Sequence, residues 1–259
     1  YTTLFRSMIE KWGIPVRPIT GKAPRTVYVY LPPQAEEDPE ARFPVLYMFD
    51  GHNLFFDGDA TFGKSLGLKE FLDNYWKKLI VVGMECAHDD WKRVCEYCPY
   101  ELESSYYGHI PGTGYHTFKW IEDSLKPHID RNYRTVPFRE ATAIAGYSMG
   151  GMMALYGITH FNHIFSKSAA ISPAIAPAMD AFRYEINTGV LNLDTRIFFS
   201  WGSVEQQHNH GIENRIREIE WLVQQKGAKT YLFKNEGGDH NEASWQHEVP
   251  TWMWFLWEN

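Results

Sequence analysis

The chain has few cysteines. Its 259 residues include three, Cys86, Cys95 and Cys98, an odd number too small for a disulfide-stapled secreted fold. Cys95 and Cys98 have the spacing of a redox or half-zinc motif, but zinc needs a second ligand pair and a redox motif needs its own βαβ setting. We therefore expect free thiols and favour a cytoplasmic protein. If the chain is exported, a disulfide between Cys95 and Cys98 is an alternative.

Long apolar stretches and basic patches are also missing. No stretch approaches the roughly 18 to 20 apolar residues of a membrane span and no signal-peptide pattern heads the chain, so we expect a soluble protein. Because the chain starts at Tyr1, removal of an upstream segment, and with it secretion, stays open. The net charge is −7 and the basic residues are dispersed, which argues against nucleic-acid or anionic-membrane partners. A small neutral or cationic substrate stays open, and oligomeric state cannot be derived.

The hydrophobic content, 44%, is enough for one α/β domain over residues 1–259. Short apolar stretches predict seven strands, at 26–31, 44–49, 78–83, 142–146, 167–172, 196–201 and 229–234. Helical spacing is found at 118–126, in the series Ile212, Ile216, Ile219 and Val223, and at 243–256. Strands alternating with helices predict a mostly parallel central sheet with helices on both faces.

The most informative motif is Gly146-Tyr-Ser148-Met-Gly150, which satisfies G-x-S-x-G. It follows a predicted buried strand and precedes an apolar helix, the setting of a nucleophile elbow, in which small neighbours let strand and helix backbones approach closely. Ser148 is therefore the candidate nucleophile. A glycine-rich turn with a capping serine is the alternative.

A serine nucleophile requires a base and an acid further along the chain, in the order Ser, Asp or Glu, His. Glu205 follows the strand at 196–201, where the carboxyl ends of parallel strands gather catalytic groups. His240 lies in a glycine-containing loop between the last strand and the last helix. We expect Glu205 to be the acid and His240 the base.

Other histidines and acids are weaker candidates. His128, His160 and His247 fall in or beside predicted helices. His208 and His210 form a spaced pair that can chelate zinc, but no third and fourth ligand stands at a recognisable spacing, so we expect no metal and no cofactor.

Two aspartates compete with Glu205. Asp194 precedes its strand, which puts it at the wrong end of the sheet, and Asp239 adjoins His240 too closely to reach the ring.

An acyl-transfer site also needs backbone N–H donors for the oxyanion. Met149, directly after the candidate nucleophile, supplies one. The strand at 44–49 ends in Asp50-Gly-His-Asn, where Gly51 permits a turn that brings the His52 amide toward Ser148. The Asn53 amide is the alternative donor. The segment can also be a tight turn with no catalytic role.

The longest predicted loop, about 85–114, is rich in aromatic residues and can wall a substrate pocket. Tyr106 and Tyr107 are its substrate-binding candidates, and we add Asn53 and Trp201 to them. Their aromatic faces suit an aryl or sugar-linked ester, but packing is the competing explanation, and for Trp201 and the Met152-Met153 pair the core is favoured.

Together these segments resemble the esterase family of α/β-hydrolases that includes enterochelin esterases, feruloyl esterase domains and S-formylglutathione hydrolase relatives. The resemblance rests on six ordered segments, at 47–55, 93–99, 129–134, 146–151, 202–205 and 238–245. It implies an α/β-hydrolase fold and a serine carboxylesterase with Ser148, His240 and Glu205 at the family's catalytic positions. His52 is a departure, because many relatives carry Gln there.

The sequence thus predicts hydrolysis of a small or carbohydrate-linked carboxylic ester through an acyl-enzyme. Transfer of the acyl group to an alcohol and a catalytically silent binding module are the alternatives. The ester itself stays open among hydroxycinnamates, siderophore lactones, acetylated sugars and short acyl esters.

Overall fold

The computed structural model of the chain describes residues 6–104 and 106–258. Ten strands alternate with helices: β1 (Met8–Pro15), β2 (Pro24–Leu31), β3 (Val45–Phe49), β4 (Ile80–Met84), β5 (Leu102–Ser104), β6 (Gly108–Ile110), β7 (Thr142–Tyr147), β8 (Lys167–Ile171), β9 (Arg196–Gly202) and β10 (Lys229–Asn235). The α-helices are α1 (Arg17–Thr20), α2 (Gln34–Glu37), α3 (Leu68–Asn74), α4 (Asp90–Glu96), α5 (Gly114–Trp120), α6 (Lys126–Asn132), α7 (Met149–His160), α8 (Met179–Thr188), α9 (Glu205–His208), α10 (Ile212–Gln225) and α11 (Glu242–Trp257). In these two segments we find no helix with both the length and the hydrophobicity needed to cross a membrane.

Eight strands form the central sheet, in the order β1-β2-β4-β3-β7-β8-β9-β10. β2 pairs antiparallel with both of its neighbours, whereas β4, β3, β7, β8, β9 and β10 run parallel to one another. The mostly parallel sheet that the sequence predicts is confirmed, and all seven predicted strands belong to it.

The hydrophobic core consists of two layers, one on each face of the sheet. Strand β3 is buried on both faces, so Val45, Tyr47 and Phe49 belong to one layer while Leu46 and Met48 belong to the other. The first layer is covered by helices that include α5, α7, α8 and α10, and the second by α3 and α11. Helices on both faces, the second part of the architecture prediction, are therefore confirmed.

Two parts of the fold differ from the prediction. Strand β1 was not expected; it is an edge strand with partly exposed residues and is held by eight paired positions with β2. The stretch 85–114 is not a long irregular loop, because it contains α4 and a hairpin of β5 and β6. The start of α4 has a local cause, since the Asp89 carboxylate caps the helix by accepting a hydrogen bond from the Lys92 N–H.

Candidate active site

The candidate catalytic residues meet at the carboxyl edge of the parallel strands. His52 follows β3, Ser148 follows β7, Glu205 follows β9 and His240 follows β10. His52, Ser148 and His240 line one cavity of about 440 Å³, a volume within the range of small-molecule sites. The topology therefore gathers at one edge residues that lie far apart in the chain.

Ser148 occupies a strained turn between β7 and α7. Its backbone has φ 56° and ψ −121°, a conformation that a non-glycine residue adopts only under tertiary constraint. The flanking glycines explain the motif: a Cβ on Gly146 would lie 2.4 Å from the Gly150 carbonyl carbon, and a Cβ on Gly151 would lie 2.8 Å from the Ile171 carbonyl oxygen. The Ser148 N–H donates to that same Ile171 oxygen at 3.0 Å, which fixes the turn against β8.

Glu205 and His240 form a direct pair. Glu205 Oε1 and His240 Nδ1 lie 2.8 Å apart, with the carboxylate fully buried and the ring 34% exposed. The two loops that carry them are tied together, since the Val204 N–H donates to the Gly238 carbonyl oxygen at 2.9 Å. Among the described residues no hydrogen bond joins the His240 ring to Ser148 Oγ; such bonds are often long in ligand-free sites and tighten with substrate.

The surroundings of Glu205 keep it ionised. Burial by itself raises the pKa of this carboxyl, but the His240 ring, the Ser172 hydroxyl and the Gly202 N–H outweigh burial and hold the pKa below its ordinary value. Trp245 supports this arrangement, because its indole N–H donates to Ser172 Oγ at 3.2 Å and its ring packs edge-on against His240 with centroids 5.0 Å apart.

Of the predicted oxyanion residues, Met149 directly follows Ser148 and His52 lines the same cavity as Ser148. Met149 is the first residue of α7, whose N-terminal N–H groups and helix dipole favour negative charge. His52 lies in a 3-10 turn, Gly51–Asn53, after Asp50, whose φ of 56° is left-handed. Gly51 is required by packing, since a Cβ there would lie 2.5 Å from the Gly83 carbonyl carbon of β4. Burial lowers the pKa of the His52 ring, which keeps it neutral near pH 7.

An ion pair that the sequence did not predict anchors this loop. Arg93 of α4 donates from Nε and Nη2 to the two carboxylate oxygens of Asp50, at 2.9 and 2.8 Å. Burial opposes ionisation of Asp50, but the Arg93 guanidinium lowers the pKa of this carboxyl below its ordinary value. A signal was available, because Arg93 and Asp50 both lie in segments that carry the family resemblance.

Asp50, His52 and Cys86 form the one group of three metal-ligand side chains that lie close together in the described part of the chain. Asp50 is already occupied by Arg93, and the Cys86 thiol lies 3.3 Å from Asp50 Oδ1 as a donor. Burial raises the pKa of Cys86 well above its usual range, which favours the thiol over the metal-binding thiolate. The donor set fits a hydrogen-bonded network better than a cation site.

Of the four substrate-binding candidates, Asn53 lines the cavity and the other three do not. The Asn53 side-chain oxygen accepts from the Thr61 N–H at 2.9 Å. Tyr106 and Tyr107 lie outside the cavity lining: Tyr106 is 84% exposed, and Tyr107 donates its hydroxyl to Asp90, which does line it. Trp201 does not reach the cavity because it is buried in the core layer that α10 covers.

The competing residues lie where the sequence placed them. Asp194 pairs with Arg139 at 2.6 Å, before the start of β9 and away from the cavity. Asp239 lies 3.2 Å from His208 Nε2, and its own side chain accepts from the His240 N–H without reaching the ring.

Sequence reasoning missed several lining residues. Phe62, His88, Asp90, Glu242 and Trp245 contribute to the wall of the cavity. Glu242 and Trp245 belong to the quoted segment 238–245, so their proximity to His240 was available from the chain. His88 and Asp90 belong to the stretch 85–114 that the sequence predicted to wall a pocket, although neither was singled out there, and Phe62 reaches the cavity through tertiary packing.

Comparison with known proteins identifies the family of the chain. The family described as "Putative esterase" matches residues 20–254. The chain is 23% identical over 215 residues to "Uncharacterized protein YbbA" of Bacillus subtilis, covering 78% of this chain and 79% of that protein. It is 25% identical over 214 residues to the ferri-bacillibactin esterase BesA of the same organism, covering 75% of this chain and 71% of that protein.

A solved structure shows the fold. The IroE-like serine hydrolase of Shewanella oneidensis superposes with a TM-score of 0.74 at 17% identity, covering 96% of this chain and 79% of that one. The predicted α/β-hydrolase fold is thereby confirmed. The match over most of the chain shows that this protein belongs to the Putative esterase family and is a carboxylic ester hydrolase.

Proposed function

We propose that the protein hydrolyses carboxylic esters through an acyl-enzyme on Ser148, with His240 as general base and Glu205 as the acid that orients it. The observation that carries the proposal is the 2.8 Å contact between Glu205 Oε1 and His240 Nδ1 at the cavity that also holds Ser148. That contact places the Nδ1 proton on the side of the carboxylate and leaves Nε2 free to take the serine proton.

The first half of the reaction forms the acyl-enzyme. Ser148 Oγ attacks the ester carbonyl while His240 Nε2 accepts its proton, and the buried Glu205 carboxylate stabilises the imidazolium that results. Collapse of the tetrahedral intermediate breaks the bond to the alcohol oxygen, which takes the proton from His240 as the alcohol leaves. In the second half, water attacks the acyl-enzyme while His240 accepts its proton. His240 then returns the proton to Ser148 Oγ as the carboxylic acid leaves.

The oxyanion of each tetrahedral intermediate is assigned to the backbone N–H groups of Met149 and His52. The Met149 N–H belongs to the first turn of α7, and the loop of His52 is held by the buried Asp50–Arg93 pair. Each donor is typically worth roughly 3 kcal/mol of transition-state stabilisation. The ion pair therefore acts on the reaction through the loop that it positions.

The test is the initial rate of hydrolysis of p-nitrophenyl acetate by the wild type, Ser148→Ala and His240→Gln. We expect both variants to lose at least about 10⁴-fold in kcat while keeping the wild-type circular dichroism spectrum. Retained turnover in a clean Ser148→Ala preparation would refute the assignment. Adding an alcohol acceptor and analysing the products separates hydrolysis from acyl transfer.

A further inference from the structure

The cavity that holds Ser148 and His240 has an excess of negative charge. Asp50, Asp90 and Glu242 line it, and Arg93 is the one lysine or arginine among its described lining residues. Arg93 is consumed by its two hydrogen bonds to Asp50, so this pair is neutral as a unit. Asp90 and Glu242 form no ion pair with any described residue. Two carboxylates are therefore left without a cationic partner.

Glu242 is the better placed of these two carboxylates. It is the first residue of α11, two positions after His240, and its Oε1 has only a long contact of 3.4 Å with Asn53 Nδ2. Burial raises the pKa of Glu242. A cation placed next to Glu242 would oppose this effect by favouring the ionised form. Asp90, in contrast, is exposed and already accepts the Tyr107 hydroxyl at 2.7 Å.

The rest of the cavity wall suits the same kind of ligand. Trp245 lines the cavity one turn beyond Glu242, and Phe62 lines it while remaining 80% exposed. Aromatic rings bind ammonium and guanidinium groups through their faces. Trp245 is 6% exposed and already stacks on Tyr147, so Phe62 is the ring of the two that is open to a ligand. His52 also lines the cavity, is only 4% exposed and has no partner for Nδ1 among the described residues. A buried polar atom of this kind is normally satisfied, and a polar group of a ligand in the cavity can supply the partner.

We propose that Glu242 selects esters that carry a positively charged ammonium or guanidinium group, on either the acyl or the alcohol side of the ester bond. The cation lies against the Glu242 carboxylate, on the side of the cavity that the exposed Phe62 ring also lines, while the ester carbonyl lies at Ser148. This inference rests on the proposed function of Ser148 and names the substrate class of that site. It also excludes as good substrates those esters whose acyl or alcohol part is an anion.

The experiment compares matched pairs of esters that differ only in charge. Butyrylcholine is paired with the ester in which carbon replaces its quaternary nitrogen, and the p-nitrophenyl ester of trimethylammoniobutyric acid is paired with its carbon analogue in the same way. We expect the wild type to prefer the cationic member of at least one pair by roughly tenfold in kcat/KM, the size of one charge contact in a partly solvated site. Raising the salt concentration is expected to lower that preference.

The Glu242→Gln variant is expected to lose the preference, measured as the ratio of kcat/KM within each pair, so that any general change in its activity cancels. Glu236→Gln is the matched control, because it removes the same charge from the loop that precedes α11, at a side chain that is 74% exposed and does not line the cavity. Glu242→Asp, which keeps the charge, is expected to retain part of the preference.

Two results would overturn the inference: no preference in either pair with the wild type, or an unchanged preference in Glu242→Gln. Equal hydrolysis of the uncharged esters by wild type and Ser148→Ala is a different failure. It would overturn the proposed function, and the substrate class with it.

Discussion

Glu205 and Glu248 are both fully buried below the loop that carries His240, yet they differ in acidity. Glu205 is 0% exposed and Glu248 is 1% exposed. The His240 ring and the Gly202 N–H bind the Glu205 carboxylate. Glu248 accepts a hydrogen bond from Asn235 Nδ2 at 3.0 Å and lies beside the Ser200 hydroxyl, but these two groups do not outweigh burial and the negative charge of Glu205. Burial raises the pKa of Glu248 to about 7, while the partners of Glu205 overcome burial and lower its pKa.

The difference teaches that equal solvent exposure does not give two carboxyls equal acidity, because the charged and hydrogen-bonding groups around each one also set its pKa. Glu205 is ionised at neutral pH and can stabilise an imidazolium. Glu248, whose pKa is raised to about 7, is about half protonated at neutral pH and serves the structure. Asn235, which binds it, also donates to the Ser244 carbonyl oxygen and accepts from the N–H groups of Ser203 and Gly238. The Glu248 carboxyl thus supports a residue that ties the acid loop to the histidine loop.

The largest contrast is expected in catalysis. Glu205→Gln should lower kcat/KM for p-nitrophenyl acetate by roughly 10³- to 10⁴-fold, because an amide cannot stabilise the imidazolium and disturbs the tautomer of His240. Glu248→Gln should stay within about threefold of the wild type. A loss in Glu248→Gln as large as in Glu205→Gln would break the distinction between the two carboxyls.

Asp50 extends the comparison as a second buried carboxylate that is ionised through a partner. Arg93→Met should lower the free energy of unfolding by about 3 to 5 kcal/mol, because it leaves the Asp50 charge buried and unpaired. Urea denaturation at neutral pH measures the loss. The double variant Asp50→Asn with Arg93→Met should recover much of it, and a double variant as unstable as Arg93→Met alone would show that the charge is not the cause.

Glu248 makes a pH-dependent contribution to stability. Its pKa is raised from 4.5 to about 7 on folding, so the folded state binds more protons between these values. Its stabilising contribution is complete below pH 4.5 and is lost as the pH rises through 7. Glu248→Gln should therefore be more stable than the wild type by about 3 kcal/mol near pH 9, with the difference vanishing near pH 4.

Thermal and urea unfolding of both proteins across that pH range measure the effect. The control is Glu205→Gln, whose pH dependence should have the opposite sign. The lowered pKa of Glu205 gives the wild type stability that is present above the ordinary carboxyl pKa and lost as the pH falls through the folded value. If the stability of the two variants relative to the wild type changed with pH in the same direction, the assigned pKa shifts of Glu205 and Glu248 would be contradicted.

Trp245→Phe should have the smallest effect. It removes the indole N–H that donates to Ser172 while keeping an aromatic ring beside His240 and Tyr147. We expect kcat/KM to fall less than about tenfold and the acidic limb of its pH profile to move upward, because Ser172 then supports the Glu205 carboxylate less well. An acidic limb at the wild-type position would show that Ser172 does not support the Glu205 carboxylate.

How much the sequence predicted depends on the range of the interactions. The turn at Ser148 could be predicted from local sequence, because it requires glycines at positions where a Cβ would collide with nearby backbone. Glu205 and His240 follow strands that short apolar stretches predict. Their order along the chain then suggested the pairing that the structure brings to 2.8 Å.

Interactions between distant residues were not predictable in this way. Asp50 and Arg93 are 43 positions apart, and nothing in the local pattern says that α4 turns its arginine toward the end of β3. Strand β1 has a weak apolar pattern and depends on its partner β2, so it was missed. In the sequence, Glu248 looks like an ordinary polar position of a helix, and its burial is evident only in the folded structure.

The most direct test of the central claim is to trap the acyl-enzyme. Wild type and Ser148→Ala are mixed with p-nitrophenyl acetate, quenched in acid during the first turnover, digested and examined by mass spectrometry. The account predicts one acetyl group on the peptide that contains Ser148, formed together with a burst of p-nitrophenol, and neither signal in Ser148→Ala. An acetyl group on another residue that turns over at the steady-state rate, or an undiminished burst in Ser148→Ala, would contradict it.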